Sequence, residues 1–188
     1  MRDLSLHLMD IIQNSIAAQA SKIDVFICVD KKRDILRIKI ADNGLGIDEN
    51  TLKRITSPFV TTRNTRQMGM GIPLFKASAK RAGGDFRVAS HKGGGTVVEA
   101  DFEISHIDRP PLGDIAQTLT LLIATGSDIE YGLILDNKSE CFIFNSLKVK
   151  KRLGAVPITS FEVLDWISAH INEGTNTIFG GVLNEILG

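Results

Sequence analysis

Two neighbouring segments of alternating apolar and polar residues constrain the fold of this chain most. Apolar side chains occupy every second position in residues 22–29, and again in residues 35–41, after a turn of five charged residues at 30–34. An alternation of period two is typical of a strand with one buried face. Because the connecting turn is short, the two strands are predicted to pair as an antiparallel hairpin.

Helical patterns precede and follow this hairpin. Residues 4–20 repeat apolar side chains at steps of four, and Asp3 or Ser5 can cap that helix. A short helix is predicted from about Asp48, and another over 72–82. Two further strands are predicted at 85–90 and 96–104. The first part of the chain is therefore predicted to mix helices and strands.

A second region follows a proline-containing segment. Residues 106–113 are predicted to be a linker. Beyond them the pattern predicts a helix, a strand pair and a second helix, at 114–124, 130–136 with 140–145, and 160–172. The predicted organisation is a domain over 1–105, the linker, and a small αββα unit over 114–188 of unassigned role.

Composition narrows the range of partners. The 188 residues contain 22 Lys plus Arg and 22 Asp plus Glu, so no net basic field favours a nucleic acid or an anionic membrane. No signal peptide is evident, and no apolar run is long enough to span a bilayer. Cys28 and Cys141 are far apart and form no CxxC pair, which argues against a disulfide framework or a cysteine zinc site. We expect a cytoplasmic protein that binds neither nucleic acid nor membrane.

Asp10 and Asn14 form the first candidate site. Their spacing of four puts both side chains on one face of the predicted first helix. An isolated pair of this kind is most often part of a solvated surface. The functional interpretation is a magnesium site, because an amide oxygen is a hard ligand and a neighbouring carboxylate can position water.

The second candidate is the turn Asp42-Asn43-Gly44-Leu45-Gly46 at the end of a strand. Such a sequence also favours an ordinary turn. As a binding site, Asp42 would accept a hydrogen bond from the exocyclic amine of adenine, whereas guanine presents a carbonyl there. Gly44 and Gly46 would let the backbone approach the nucleotide closely.

Three glycine-bearing or unpatterned segments complete the candidates. Residues 56–70 are rich in Thr and Arg without a clear period, as in a functional loop. Gly69 and Gly71 precede a helix, whose N-terminus favours phosphate. Thr96 follows a glycine turn, and its hydroxyl can join a network with Asp42. No P-loop and no dinucleotide-binding fingerprint occur in the sequence.

In this order the segments resemble the motifs of the GHKL ATP-binding family, which includes the gyrase B subunit, the heat-shock chaperone, sensor histidine kinases, MutL proteins and anti-sigma-factor serine kinases. Residues 10–16 resemble the N box, and 42–46 match the DxGxG box. Residues 58–63 resemble the start of the ATP lid. Residues 69–74 match the GxGxxL box, and 95–96 match the terminal GT.

The resemblance covers about residues 1–105 and implies a fold and a set of roles. The implied fold is a two-layer α/β sandwich with a mixed sheet, the Bergerat-type ATP-binding fold. Asn14 would coordinate Mg, and Asp42 would bind adenine. Gly44, Gly46, Gly69, Gly71 and Thr96 would shape the pocket, and Arg63 or Arg66 would reach phosphate. Asp10 stands where gyrase-like ATPases carry a catalytic glutamate.

Three functions remain open from the sequence. The first is an anti-sigma-factor-type kinase that transfers the terminal phosphoryl group of ATP to a partner protein, and this is our expectation. The second is a nucleotide-gated binding module without catalysis. The third is a slow ATPase clamp with Asp10 as the base. ATP, Mg and a protein partner are implied, and homodimerisation stays open.

Overall fold

A computed structural model of this chain describes residues 3–56 and 71–180, which contain a six-stranded sheet in the order β3-β4-β2-β1-β5-β6. The strands are β1 (Lys22–Asp30), β2 (Ile35–Asp42), β3 (Phe86–Ser90), β4 (Thr96–Glu103), β5 (Glu130–Asp136) and β6 (Cys141–Asn145). The described helices are α1 (Leu4–Ala17), α2 (Glu49–Thr56), α3 (Gly71–Arg81), α4 (Ile115–Thr125), α5 (Ser146–Leu153) and α6 (Phe161–Phe179).

The sheet is mixed. Strand β1 pairs antiparallel with β2, in the predicted hairpin, and parallel with β5. Strand β4 pairs antiparallel with both β2 and β3, and β5 pairs antiparallel with β6. The predicted α/β class with a mixed sheet is therefore confirmed.

The apolar face of the sheet explains the layered packing. Val25 of β1 lies opposite Ile40 of β2, and Ile40 lies opposite Val98 of β4, so the buried side chains share one face. Buried residues of α1 and α3 pack over this face, among them Leu8, Ile12 and Phe75. The opposite face carries half-buried polar residues, including the pair Arg37–Asp101, whose Nε and Oδ1 atoms are 2.6 Å apart. The sheet and one helical layer form a two-layer sandwich.

Local capping follows the sequence predictions closely. The Asp3 carboxylate caps α1 by accepting a hydrogen bond from the Leu6 amide, at 3.0 Å. Asp48 caps α2 in the same way, accepting from Thr51 at 3.0 Å. Gly83 follows the end of α3 with φ of 69°, in the left-handed region that glycine adopts readily. Helix α1 ends earlier than predicted, at Ala17, because the chain turns there toward β1.

The elements after residue 113 continue the sheet of the first part. The predicted strand pair is present as β5 and β6, and β5 lies directly beside β1. Helix α5 was not predicted, because it starts at the residue after β6 without a separating turn. Helix α6 continues past the predicted end at residue 172. The sheet therefore spans both predicted domains, and the assignment of ATP binding to residues 1–105 stays a prediction.

The predicted linker, residues 106–113, has no helix or strand but packs against the rest of the chain. Its Leu112 and Arg109 are buried. The Pro111 and Leu112 carbonyls accept hydrogen bonds, both 2.9 Å, from the Leu4 and Ser5 amides at the start of α1. Among the described residues, no helix combines the length and apolar character that crossing a bilayer requires.

Candidate nucleotide-binding site

The Asp42 carboxylate accepts three hydrogen bonds in the candidate site. It is the last residue of β2 and lies opposite Thr96, the first residue of β4. Its Oδ1 accepts hydrogen bonds from the backbone amides of Gly44, at 2.9 Å, and Thr96, at 3.2 Å. Its Oδ2 accepts one from the hydroxyl of Ser15 on α1, at 2.7 Å. Three donors from three parts of the chain thus fix this carboxylate.

The same contacts define which acceptor site of Asp42 is available. Each carboxylate oxygen has two lone-pair sites. Oδ1 already accepts two hydrogen bonds, whereas Oδ2 accepts one from the described residues, that of Ser15. Oδ2 can therefore accept one more hydrogen bond from a ligand donor.

The turn after Asp42 is anchored to the junction of α1 and β1. The Asn43 side chain accepts hydrogen bonds from the backbone amides of Ser21 and Lys22, each 2.9 Å, and donates to the Ser21 hydroxyl. A side chain at Gly44 would lie 2.7 Å from the Ala18 carbonyl oxygen, so only glycine fits there. The glycine at residue 44 thus has a steric basis within the chain itself, and its close approach to a nucleotide stays a prediction.

Gly46 and Gly95 let the turn after β2 and the β3–β4 hairpin approach each other. Gly46 has φ of 68°, and a Cβ there would lie 2.0 Å from the His91 carbonyl oxygen. Gly95 has φ of 76°, and a Cβ there would lie 2.0 Å from the Asp42 carbonyl oxygen. Both positions combine a left-handed backbone with a close backbone contact, so any side chain would move the loops apart.

Thr96 contacts Asp42 through its backbone amide, not through its hydroxyl. The buried Thr96 hydroxyl instead lies 2.9 Å from the Ser90 hydroxyl at the end of β3. The Ser90 hydroxyl also donates to the Gly95 carbonyl and accepts from the Ile47 amide, each at 2.8 Å. The network thus ties the hairpin to the turn that follows Asp42.

Asp10 and Asn14 lie together on α1, facing the start of α3. A Cβ added to Gly71 would lie 2.9 Å from the Asp10 Cβ and 3.6 Å from the Asn14 Nδ2. Burial raises the pKa of Asp10, and the positive N-terminus of the chain opposes this only partly. Asp10 is five residues from Ser15, or about 7.5 Å along a helix, which separates it from the Asp42 carboxylate.

The arrangement suits magnesium at one end of the site. Carboxylate and amide oxygens are hard ligands of the type that Mg²⁺ shares with nucleotide phosphates. The buried Gly71 keeps α3 close to the Asp10 and Asn14 side chains, at the helix end where backbone N–H groups attract phosphate. Asn14 therefore fits the role of a metal ligand, with the Asp10 carboxylate one turn away on the same helix face.

Some predicted residues lie outside the described part of the chain. These are Arg63, Arg66, Gly69 and most of the predicted lid at 56–70. Among the described candidates, the fold brings Asp42, Gly44, Gly46 and Thr96 together, and places Asp10 and Asn14 beside Gly71.

Ser15 and Ser90 are structural contributors to the site that the sequence patterns did not single out. A serine within a helix or at the end of a strand carries no specific signal, because its partner is distant in sequence: Ser15 contacts Asp42 across 27 positions. The signal available was position alone, since Ser15 directly follows Asn14.

The candidate site lies within a segment that matches a known family. A family model described as histidine kinase-, DNA gyrase B- and HSP90-like ATPase matches residues 2–106. This match covers more than half of the chain and all of the described candidate residues. The chain belongs to this family, and the resemblance inferred from the motifs is confirmed.

Curated relatives are sensor proteins of bacteria. A sensor protein of Shewanella frigidimarina is 35% identical over 105 residues, covering 54% of this chain and 16% of the relative. The autoinducer 2 sensor kinase/phosphatase LuxQ of Vibrio harveyi is 26% identical, over 65% of this chain and 15% of the relative. The CAI-1 autoinducer sensor kinase/phosphatase CqsS of Vibrio cholerae is 26% identical over 84% and 22%. This chain spans less than a quarter of the length of these relatives.

Solved structures with a similar chain trace include the MutL ATPase domain of Aquifex aeolicus complexed with ADP. It is 13% identical with a TM-score of 0.45, covering 76% of this chain and 64% of that one. The N-terminal domain of a DNA repair protein is 14% identical with a TM-score of 0.49, covering 76% and 52%.

Proposed function

We propose that this chain binds ATP with Mg²⁺ and transfers the terminal phosphoryl group to a side chain of a partner protein, as a cytoplasmic regulator. The observation that carries the proposal is the fixed Asp42 carboxylate, whose Oδ2 retains an acceptor site beside the glycine turn. The family is one of ATPases, and curated relatives include sensor kinases. These names support phosphoryl transfer as the chemistry.

Asp42 selects the base by hydrogen-bond polarity. Its Oδ2 can accept a hydrogen bond from the exocyclic amine of adenine. Guanine presents a carbonyl at that ring position, so two acceptors would face each other and one would lose its hydrogen bond. The site therefore favours ATP over GTP.

Asp10, Asn14 and the start of α3 lie where the triphosphate would extend. Ser15, which contacts Asp42, and Asp10 are about 7.5 Å apart along α1. This distance gives room for the ribose and phosphates between the Asp42 carboxylate and Asp10. Asn14 is the proposed ligand of the metal, which supplies charge neutralisation on the phosphates when bound. We propose that the Gly71 backbone amide donates a hydrogen bond to a phosphate oxygen.

The proposed transfer needs a base near the acceptor. An acceptor hydroxyl oxygen attacks the terminal phosphorus, the bond from that phosphorus to the bridging oxygen breaks, and ADP leaves. The hydroxyl proton passes to the Asp10 carboxylate, whose raised pKa suits it to accept a proton. The Asp10 side chain is one methylene shorter than that of a glutamate, so it reaches less far. This favours a partner hydroxyl as the attacking group, because the partner can bring it close to Asp10, whereas a water molecule would have to be held in place.

Labelled ATP tests the proposal. The full chain is incubated with ATP labelled on the terminal phosphate, Mg²⁺ and a lysate of the source organism. We expect label on a protein other than this chain, and loss of that label when Asp10 is replaced by Asn. Release of labelled phosphate alone would show an ATPase. ATP binding with neither product would show a nucleotide-gated binding module.

A further inference from the structure

A groove lies at the other end of the sheet, between β6, α5 and α6, far from the candidate nucleotide site. Its volume is about 790 Å³. Strand β6 is separated from β2 by β1 and β5, so it lies three strand spacings from β2, or about 14 Å. The groove is therefore a separate surface.

One wall of the groove is the cationic face of α5. Lys148, Lys151 and Arg152 line it at positions i, i+3 and i+4, a spacing that places three side chains on one helix face. All three are exposed. Within residues 3–56 and 71–180, none of these three side chains forms an ion pair. Their charge is thus available to a ligand.

The opposite wall and the floor are apolar and aromatic. Val163 and Trp166 of α6 face the groove, and Trp166 stacks on His170 with ring centroids 5.0 Å apart. Ile143 of β6 lines the groove at the edge of the sheet and is 58% exposed, and Trp166 is 51% exposed. Exposed apolar side chains gathered in one concave place mark an interaction site. Among the described residues that line the groove, Glu162 has the one carboxylate.

The cationic wall is held in place by hydrogen bonds to β5 and its approach. The Asn145 side chain caps α5 by accepting from the Lys148 amide, at 2.9 Å, and donates to the Glu130 carboxylate, at 2.9 Å. The Lys150 ammonium, on another face of α5, donates to the carbonyls of Ser127 and Ile129. A preorganised wall binds a ligand at lower entropic cost.

We propose that this groove docks an acidic amphipathic segment of a partner protein. Carboxylates on one side of such a segment would face Lys148, Lys151 and Arg152, while apolar side chains on the other would cover Ile143 and Trp166. A nucleic acid fits less well, because an apolar wall faces the cations and the chain as a whole has a formal net charge of 0. The proposal is independent of nucleotide binding.

Trp166 is the single tryptophan of the chain, so its fluorescence reports on the groove alone. A random peptide display library is selected on the full chain, and the enriched peptides are synthesised. We expect sequences rich in Asp, Glu and apolar residues that shift the Trp166 emission. Peptides enriched in Lys and Arg, or the absence of enriched peptides, would overturn the proposal.

Substitutions locate the binding. Lys148→Glu with Lys151→Glu should weaken the selected peptides by at least about tenfold, and Ile143→Asp should do the same. The matched control, Lys31→Glu with Lys32→Glu in the β1–β2 turn, should change affinity by less than about twofold. Equal weakening by both pairs would overturn the proposal. So would tighter binding to single-stranded RNA or anionic vesicles, or an emission change on dilution of the chain alone, which would indicate a second copy.

Discussion

The hydroxyl of Ser15 on α1 donates a 2.7 Å hydrogen bond to Oδ2 of Asp42 at the end of β2. This contact joins the N-box helix to the DxGxG turn, two segments that the sequence places 27 positions apart. It orients the carboxylate and occupies one of the two acceptor sites on Oδ2, so the direction of the remaining site is set by α1.

Ser15→Ala tests this orientation. Loss of the hydroxyl removes one of three hydrogen bonds to Asp42, and we expect ATP affinity to fall by roughly fivefold, or about 1 kcal/mol. Titration calorimetry with ATP and Mg²⁺ measures the change. Ser168→Ala on α6 is the matched control and should leave the affinity unaltered. An unchanged affinity in Ser15→Ala would show that Asp42 is positioned without α1.

Asp42→Asn tests base recognition itself. The amide offers one acceptor oxygen in place of two, and its NH₂ group only donates. The side chain therefore cannot accept all the hydrogen bonds of Gly44, Thr96, Ser15 and the adenine amine. We expect ATP binding to become undetectable by the same calorimetry, while the thermal unfolding midpoint stays within a few degrees. Normal ATP binding by this variant would make the pocket assignment wrong.

Asp10→Asn separates binding from chemistry. The substitution leaves the proposed metal ligand Asn14 and the adenine-binding Asp42 unchanged, so ATP binding should persist. The amide cannot accept a proton, so turnover should fall by about a hundredfold or more. Asp10 must be ionised to act as a base, so the wild-type rate should fall as the pH decreases through its pKa. Because burial raises that pKa, the loss should begin at a higher pH than for an ordinary aspartate.

A pH profile of initial rates under saturating ATP measures this effect. A rate that stays constant down to the ordinary range of an aspartate would exclude Asp10 as the base, and so would full turnover in Asp10→Asn.

Gly95→Ala and Gly93→Ala separate steric contact from backbone strain. Both glycines have a positive φ, 76° and 78°. A Cβ at Gly95 would lie 2.0 Å from the Asp42 carbonyl oxygen, whereas nothing lies within 4 Å of a Cβ at Gly93. Gly93→Ala should lower the free energy of unfolding by about 1 kcal/mol, from strain alone. Gly95→Ala should cost at least about twice as much and weaken ATP binding.

Urea unfolding of the two variants, with calorimetry for ATP, gives the comparison. Equal costs for the two substitutions would show that the hairpin can move away from Asp42 without loss.

His7 predicts how stability depends on pH. It is buried beside Phe75, with ring centroids 5.3 Å apart, and burial lowers its pKa from 6.5 to about 4. The neutral form is favoured in the folded state, so its contribution to stability is complete above pH 6.5 and is lost as the pH falls toward 4. Between about pH 7.5 and about pH 5 this loss amounts to about 2 kcal/mol.

Urea unfolding at the two pH values measures the loss. His7→Leu should lose less stability over this interval than the wild type, by about the same amount, since Leu does not titrate. An identical dependence in His7→Leu would assign it to other groups.

Local signals predicted much of the fold. The alternation in residues 22–29 and 35–41 predicted β1 and β2. Successive side chains of a strand point to opposite faces, so apolar residues at every second position are all buried on one face. Caps at Asp3 and Asp48 were predictable because their hydrogen bonds span three residues. Helix α5 was missed because it begins directly after β6, where Asn145 ends the strand and caps the helix at once.

Non-local contacts were beyond the sequence patterns. The parallel pairing of β1 with β5 joins segments more than a hundred residues apart, and no alternation specifies which edge of a hairpin a later strand will choose. In the site, the sequence motifs identified Asp42 and Thr96, but the predicted contact was the Thr96 hydroxyl and the observed one is its backbone amide. The third partner, Ser15, was not singled out. Residue type identified the candidates, and only the fold revealed which of their atoms form hydrogen bonds with each other.

Because β5 is hydrogen-bonded along β1, the family-matched segment ends before the strand that covers this edge of β1. A protein cut after residue 106 would leave the backbone N–H and C=O groups of β1 unsatisfied from Lys22 to Cys28 on the side that faces β5. Such a bare strand edge recruits other strands and promotes aggregation. Within residues 107–180, strand β5 therefore shields the family-matched segment from self-association through β1, and these residues also contribute a surface of their own.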